Sequence, residues 1–242
     1  MYLPGTTVVH TCDARAKLVL LLLYSILLFW ADTWVGLALF CLVLFAVQGL
    51  ARIAPARVFV PLVPVVVLAA FTVLFNAIPF SWEGLARGAF FGCRMLVLVA
   101  ASYVVCFTTT SEEAVAAFTS LIRPLSHLRF PVDDAAAVLS LSLRFIPLMA
   151  VQYTRIRDAQ TARGARMDEG SFVQRLKAWS AVFVPLFISM FQRADAVSVA
   201  MDARCYGASP ARTSLSQRAF APRDVATLVV GALVLVAIAA AF

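Results

Sequence analysis

The sequence predicts an all-α integral membrane protein with about five transmembrane helices and long amphipathic helices in the cytoplasm. Apolar residues make up 62% of the 242 positions and charged residues only 14%, whereas a soluble domain averages roughly 45–50% apolar and about 25% charged. The mean hydropathy of +0.91 agrees with this composition. A soluble enzyme, a disordered chain and a fibrous repeat are therefore excluded.

Two short apolar runs open the chain. Residues 18–31 and 34–50 are nearly all apolar and are separated by only two polar residues. Each run is short for a bilayer span of about 20 residues, but Arg15 and Lys17 can snorkel to lengthen the first one. We expect a tight helical hairpin that is retained in the membrane, because no small-residue cleavage site follows the first run.

Three further apolar stretches complete the predicted membrane spans. Residues 58–80 form a third span interrupted by three prolines, residues 88–110 form a fourth, and residues 225–242 form the last. A charge inside a span is costly, so Arg94 has either a polar role or snorkels to the interface. We divide the chain into an N-terminal membrane domain with four transmembrane helices (1–110), a cytoplasmic helical region (111–223) and a C-terminal transmembrane helix (224–242).

The basic residues are concentrated between the fourth span and the last. The stretch 111–223 holds 14 of the 20 Lys and Arg residues and nine of the 13 acidic residues, a local net charge of +5 within a total of +7. The loop at 51–57 and the N-terminal arm are also basic. The positive-inside rule therefore places the N-terminus, this loop and the stretch 111–223 in the cytoplasm. Membrane topology accounts for the charge, and nucleic acid is not needed as a partner.

Helix start and stop signals divide the cytoplasmic region. Thr110 and Glu113 have the spacing of a capping box. A long helix is expected to begin at Asp133 and to end at Gly164, because these residue types favour the two ends of a helix. A second long helix is predicted from about 172 to 204.

The two long helices resemble each other. One contains Phe145-Ile146-Pro147-Leu148 and ends in Ala162-Arg163-Gly164, and the other contains Phe183-Val184-Pro185-Leu186 and ends in Ala203-Arg204-Cys205. Each is apolar around its proline and charged towards its arginine. An arginine at a helix end complements the helix dipole, and a guanidinium there can also bind a partner's carboxylate with two hydrogen bonds. Both interpretations stay open.

These features resemble a known family over roughly residues 11–240. The matching stretches are Leu143 to Leu148, Ala159-Gln160, Ala162-Arg163-Gly164, Arg193-Ala194-Asp195 and Ala200 to Gly207, with weaker matches at Asp13 to Lys17 and Thr109 to Ser111. Their order and spacing are similar to those of the transmembrane T component of energy-coupling-factor (ECF) transporters. That group includes the cobalt, nickel and biotin permease subunits.

The resemblance implies that the long helices are coupling helices whose ends sit in grooves of two ABC-type ATPase subunits. It assigns the docking role to Arg163 and Arg204, with Ala162, Gly164 and Ala203 allowing close approach. Cys205 stands where the family usually has glycine, and we expect Gly207 to provide the turn instead. Arg144, Pro147 and Pro185 are possible structural or coupling residues.

The implied mechanism is mechanical, so the chain is expected to be a non-catalytic subunit. ATP binding would draw the ATPases together, and the helices would move against a separate substrate-binding membrane subunit, the S component. The sequence contains no Walker motif, so the ATPase is expected on another polypeptide. The implied location is the inner (plasma) membrane of a prokaryote, in contact with the lipid bilayer.

An alternative class is a membrane-embedded enzyme of lipid or isoprenoid metabolism. It would need clustered acids or a histidine or serine nucleophile, and such clusters are sparse here. The five cysteines share no CxxC spacing and the two histidines have no ligand-like neighbours, so no metal site and no cofactor is predicted. The substrate, whether cobalt, nickel, biotin or another vitamin, is expected to be chosen by the S component.

Overall fold

The described part of the chain is helical and contains no strand. The computed structural model describes residues 5, 7–77, 82–122, 132–165, 167, 169, 171–208 and 221–241. The helices are α1 (Val8–Thr11), α2 (Ala14–Trp30), α3 (Trp34–Leu50), α4 (Pro55–Ala77), α5 (Trp82–Thr108), α6 (Ser111–Ile122), α7 (Val132–Ala162), α8 (Phe172–Ala203) and α9 (Pro222–Ala241). The predicted all-α membrane fold is confirmed.

Helices α2 and α3 form the predicted hairpin. Only three residues separate them, and Thr33 begins α3 by accepting a hydrogen bond from the Gly36 amide at 3.2 Å. The two helices are held together by the Tyr24 hydroxyl, which donates to the Phe40 carbonyl at 3.1 Å, and by an edge-to-face contact of the two rings. Each helix has 17 residues. The hairpin is therefore short but well connected.

Arg94 joins the turn of this hairpin to α5. The side chain is buried at 7% exposure, and its guanidinium donates to the Ala31 carbonyl. It lies 3.5 Å from a carboxylate oxygen of Asp32 and 4.7 Å from the centre of the Phe90 ring. Of the two roles left open for Arg94, the structure shows a polar one, because the guanidinium binds the end of α2 instead of reaching outward.

Helices α4 and α5 pack closely through two glycines. A β-carbon at Gly88 would lie 2.9 Å from the Val73 backbone, and one at Gly92 would lie 3.4 Å from the Ala69 carbonyl oxygen. Small residues at this spacing allow two membrane helices to approach each other. The third span was expected to be interrupted by three prolines. Helix α4 instead runs without a break through Pro61 and Pro64. The third, Pro79, lies outside the described residues.

The buried core lies among α2, α3, α4, α5 and α9. Leu28 and Phe40 have no exposed surface, and Leu235 of α9 packs into the same cluster. Gly231 allows α9 to approach α2, because a β-carbon there would lie 2.9 Å from a methyl group of Leu20. The last helix is therefore part of the same bundle as the N-terminal hairpin.

Five described helices are long and apolar enough to cross a membrane. They are α4, α5, α7, α8 and α9. This count agrees with the sequence prediction, but the set differs, because α2 and α3 fall below the length and the two long helices of the region 111–223 qualify. The reason is that α7 carries Arg144 as its one charge between residues 135 and 154, and α8 carries none between residues 178 and 192, so each contains a long apolar stretch.

The chain divides into two compact units. One unit consists of residues 1–133 together with 218–242, and the other consists of residues 134–217. The first contains the core described above, and the second contains α7 and α8. The boundaries at 110 and 223 proposed from composition stay a prediction.

Candidate coupling site at the ends of two helices

Helices α7 and α8 are the longest in the structure and bury very little surface. They have 31 and 32 residues, or about 46–48 Å at 1.5 Å per residue. In the most apolar stretch of each helix, no residue of α7 and only 6% of the residues of α8 are buried. Both helices therefore present long uncovered apolar faces, which suit contact with lipid or with another subunit.

The starts of both helices are close to the predicted positions. Helix α8 begins after Ser171, whose amide donates to the Gln174 side chain at 3.0 Å. Helix α7 begins at Val132, so Asp133 lies in the first turn and is not the N-cap that was predicted. Helix boundaries read from sequence are uncertain by one or two residues, and the error here has that size.

Helix α7 ends in a Schellman turn around Gly164. The Gly164 amide donates to the Thr161 carbonyl at 2.9 Å, and the Ala165 amide donates to the Gln160 carbonyl at 3.0 Å. Gly164 has a φ of +87°, the left-handed conformation that this turn requires. The predicted stop at Gly164 is therefore confirmed, and it leaves Arg163 at the last half-helical position.

Helix α8 ends in the same turn without a glycine. The Cys205 amide donates to the Asp202 carbonyl at 2.9 Å, and the Tyr206 amide donates to the Met201 carbonyl at 3.0 Å. Cys205 itself is left-handed, with a φ of +55°. The expectation that Gly207 replaces the missing glycine is wrong, because Gly207 makes a separate turn two residues later with a φ of +87°.

The two arginines occupy equivalent positions. Arg163 and Arg204 each follow the last full helical residue and precede the left-handed residue. Both are exposed, as are their neighbours Ala162 and Ala203. Neither guanidinium forms an ion pair with a described residue. We name these two ends the first tip (Ala162 to Ala165) and the second tip (Ala203 to Tyr206).

Small side chains beside each arginine leave the backbone of both tips accessible. A β-carbon at Gly164 would meet no atom within 4 Å, so the first tip is unobstructed. The second tip carries the exposed Cys205 thiol and the Tyr206 ring in the corresponding place. The main-chain geometry is the same in the two tips, and the side chains that surround each arginine differ.

The two helices meet through aromatic rings. Tyr153 of α7 and Trp179 of α8 stack with ring centres 6.5 Å apart, and Phe183 stacks on Trp179 at 5.8 Å. Val182, beside these rings, is the fully buried residue of α8. The aromatic contact gives the second unit a fixed point between its helices.

A groove also lies between α7 and α8. It is lined by Met149 and Gln152 of α7 and by Ser189, Gln192 and Arg193 of α8, with three small apolar residues. Arg193 belongs to one of the stretches that resemble the ECF family. The groove is open, and its wall is mixed polar and apolar.

The remaining predicted residues lie along the same helices. Arg144 is exposed and forms no ion pair with a described residue. Both helices run without a break through Pro147 and Pro185. Gly207 is exposed beyond the second tip.

One polar cluster was not predicted from the sequence. Lys17, expected to snorkel, is buried at 7% exposure and its ammonium donates to the Thr108 carbonyl at 2.9 Å. Asp224 receives a hydrogen bond from the Asp13 amide at 3.0 Å. The resemblance included Asp13 and Lys17 only as a weak match, and their partners lie about 91 and 211 positions away, so no local pattern could have revealed the contacts.

Comparison with known proteins identifies the family. The family model described as cobalt transport protein (CbiQ) matches residues 5–215. The energy-coupling factor transporter transmembrane protein EcfT of Ruminiclostridium cellulolyticum is 32% identical, covering 93% of this chain and 89% of the relative. The EcfT of Bacillus subtilis is also 32% identical, covering 94% and 91%.

A third relative is a longer protein. The putative ABC transporter ATP-binding protein of Bifidobacterium longum is 34% identical over 98% of this chain, and the match covers 32% of that protein. The two EcfT relatives are matched over about nine tenths of their length. The family model covers most of this chain. This chain therefore belongs to the CbiQ/EcfT family and is the transmembrane component of an energy-coupling-factor transporter.

Proposed function

We propose that the chain couples two ABC-type ATPase subunits to a separate S component through the first and second tips. The observation that carries this proposal is the equivalence of Arg163 and Arg204, two exposed guanidiniums held at the same position of the same turn. Two equivalent ends suit a partner with two equivalent grooves, as a pair of ATPase subunits provides. The chain itself would be non-catalytic.

The tips are suited to binding carboxylates. A guanidinium presents donors in a planar fork that can bind one carboxylate through two hydrogen bonds. The Schellman turn ends the helix at the arginine, so the side chain projects from a fixed backbone. Binding at such a rigid position costs less conformational entropy than binding by a mobile loop. A movement of the groove would then displace the whole helix and not only its end.

The uncovered apolar faces of α7 and α8 are the proposed surface for the S component. Large side chains such as Ile146 and Phe187 are more than half exposed. Within a membrane complex they can pack against the apolar surface of another subunit. Displacement of the tips would therefore be passed along stiff helices of about 46–48 Å to the substrate-binding partner.

The relatives support a separate ATPase activity. The Bifidobacterium longum protein is named as an ATP-binding protein and is about three times as long as the segment that matches this chain. A segment similar to this chain is therefore part of a longer protein that is named as an ATP-binding protein. This supports an ATPase as the partner here.

The proposed orientation places the tips in the cytoplasm of a prokaryotic cell, with the chain in the inner (plasma) membrane. The positive-inside rule supports it, since the basic residues are concentrated in the stretch 111–223. ATP is available on that side of the membrane. The transported substrate is left to the S component, because no described group of this chain points to a metal ion or a vitamin.

Charge reversal at both tips tests the proposal. The double variant Arg163→Glu with Arg204→Glu should enter the membrane normally but lose the ATPase subunits on co-purification from detergent, together with ATP-driven uptake. The physical reason is that each new carboxylate repels the carboxylates that the arginine would bind. Affinity purification of the tagged chain, with the amounts of both ATPase subunits measured against it, provides the readout.

The matched control is Arg155→Glu. Arg155 is exposed on the same helix as the first tip, so the change in charge is the same while the turn is untouched. ATPase recovery should stay close to that of the unmodified chain. If the double variant at the tips retains both ATPase subunits, the assigned roles are wrong.

A further inference from the structure

The chain leaves the first unit and returns to it at two helices that are held by one polar cluster. Helix α6 precedes the second unit and α9 follows it, and both belong to the first unit. The N-terminal end of α2 contacts the start of each. We name the residues that make these contacts, Asp13, Lys17 and Asp224, the anchor cluster.

Lys17 holds the end of α5, immediately before α6. Its ammonium donates to the Thr108 carbonyl at 2.9 Å and to the His10 carbonyl at 3.4 Å. The last carbonyls of a helix have no partner within the helix and carry a partial negative charge. A buried ammonium therefore satisfies Thr108 both as a hydrogen-bond donor and as a positive charge.

Thr110, the residue that caps the start of α6, follows Thr108 after a single residue. The Thr110 amide donates to the Glu113 carboxylate and the Glu113 amide donates to the Thr110 hydroxyl, each at 3.2 Å. This is the capping box that the sequence predicts. Because Thr108 is held by Lys17 and α6 begins at a capped residue shortly after it, Lys17 fixes where α6 starts within the first unit.

Asp224 holds the start of α9 in the same way. One of its carboxylate oxygens accepts from the Asp13 amide at 3.0 Å, and the other accepts from the Ala221 amide at 3.2 Å. A third link lies beside them, where the Cys12 sulfur is 3.3 Å from the Thr227 hydroxyl. The returning chain is thus joined to the same few residues of the N-terminal arm.

The burial of these groups is unusual for a purely structural contact. Asp13, Lys17 and Asp224 are 6%, 7% and 8% exposed. Buried charges are costly to desolvate, and apolar replacements are often as stable. Buried polar groups do, however, impose one geometry, because each lost hydrogen bond leaves an unsatisfied group. The anchor cluster therefore fixes the positions of the joined helices more than it adds to the free energy of unfolding.

We propose that the anchor cluster is a permanent clamp that ties the starts of α6 and α9 to the N-terminal end of α2 and stays closed throughout transport. This inference rests on the proposed function, since it concerns how movement of α7 and α8 reaches the membrane helices. With the starts of α6 and α9 fixed, a pull on either helix is passed to α2, against which both helices pack. With either start released, the same pull moves that helix without moving α2.

Removal of the clamp should uncouple transport without releasing the ATPases. In the complete transporter, Lys17→Met and Asp224→Asn should each lower ATP-driven uptake about tenfold, a size typical of coupling between distant sites. Recovery of the ATPase subunits on co-purification should be unchanged, because both tips are intact. Arg57→Met is the control, since Arg57 is exposed in the first turn of α4.

This readout separates the two proposals. The proposed function predicts that variants of the two tips lose the ATPases, whereas the clamp predicts that Lys17→Met and Asp224→Asn lower uptake while the ATPases are retained. Unaltered uptake in both Lys17→Met and Asp224→Asn overturns the clamp. Loss of uptake together with the ATPases would show a folding role, and it also contradicts the clamp as proposed.

A disulfide tests whether the clamp stays closed. Thr227→Cys places a second thiol opposite Cys12, at a site where the present atoms are 3.3 Å apart. Burial raises the pKa of the Cys12 thiol, and its hydrogen bond to Thr227 only partly offsets this, so an added oxidant such as copper phenanthroline is needed to form the bond. The other four cysteines are replaced by serine, and Thr227→Ser is the control.

The oxidised variant should transport within about twofold of the same variant after reduction, because a closed clamp is not disturbed by a covalent link. In the Asp224→Asn background, oxidation should restore the uptake that the substitution removed. Uptake that stops on oxidation and returns on reduction would show that the cluster opens during the cycle. That result, or failure of the disulfide to restore uptake, overturns the proposal.

Discussion

The first and second tips share one main-chain geometry and differ in the residue that makes it possible. Glycine takes the left-handed position after Arg163, and cysteine takes it after Arg204. The same pair of backbone hydrogen bonds closes each turn at 2.9 and 3.0 Å. The comparison shows that the hydrogen bonds define the tip, while glycine only lowers the energy of the conformation.

This difference means that only the second tip carries backbone strain. A residue with a β-carbon is less stable in the left-handed region by roughly 1–2 kcal/mol, and Cys205 is in that region whereas Gly164 is free of the penalty. The second tip should therefore open more often than the first. Three sets of variants test how far the two tips are equivalent.

Single charge reversals have the largest expected effect. Arg163→Glu and Arg204→Glu, made separately, should each weaken ATPase docking by 2 kcal/mol or more, or about thirtyfold, since breaking one charged pair at an interface has this size. Because the arginines hold equivalent positions, the two losses should agree within about threefold. Titration of the purified chain with the ATPase pair measures both. A loss confined to one variant would show that only that tip docks.

Gly164→Ala should loosen the first tip. The new β-carbon has space around it, so the effect comes from the left-handed backbone alone and should be roughly 1–2 kcal/mol. Hydrogen exchange at the Ala165 amide, which closes the turn, should become about tenfold faster or more. Cys205→Ala is the matched control, because the second tip already carries a β-carbon, and exchange at Tyr206 should hardly change. Equal effects at both sites would contradict the assigned strain.

Cys205→Gly should have the smallest effect and the opposite sign. Glycine adopts the left-handed conformation without steric cost, and the gain should be up to about 1 kcal/mol, because a more flexible unfolded chain offsets part of it. Hydrogen exchange at the Tyr206 amide should slow towards the value at Ala165. ATPase docking should be preserved or improved. Faster exchange would show that the thiol itself supports the turn.

The helix ends show how far sequence patterns reach. The capping box at Thr110 and Glu113 and the stop at Gly164 were predictable because each depends on residues within one turn. The turn at Cys205 was not, because the rule for helix ends relies on glycine and pointed to Gly207. Local hydrogen bonds were strong enough to hold a cysteine where glycine is preferred.

Tertiary contacts account for the remaining differences. Lys17 lies at the start of an apolar run, where a lysine commonly snorkels. Only the packed structure reveals that the Thr108 carbonyl lies within its reach. Arg94 is similar, since its partner Ala31 is known only once α5 lies beside the hairpin turn. The resemblance to the ECF family identified the two arginines of the tips, whereas the equal geometry of their turns required the coordinates.

The shortness of the N-terminal hairpin has a consequence for the lipid around the protein. Helices of 17 residues extend about 25 Å, less than the roughly 30 Å of the hydrocarbon layer. The neighbouring α5 has 27 residues and exceeds that thickness. Hydrophobic mismatch of this kind is relieved by local thinning of the bilayer. The membrane should therefore be thinnest beside α2 and α3.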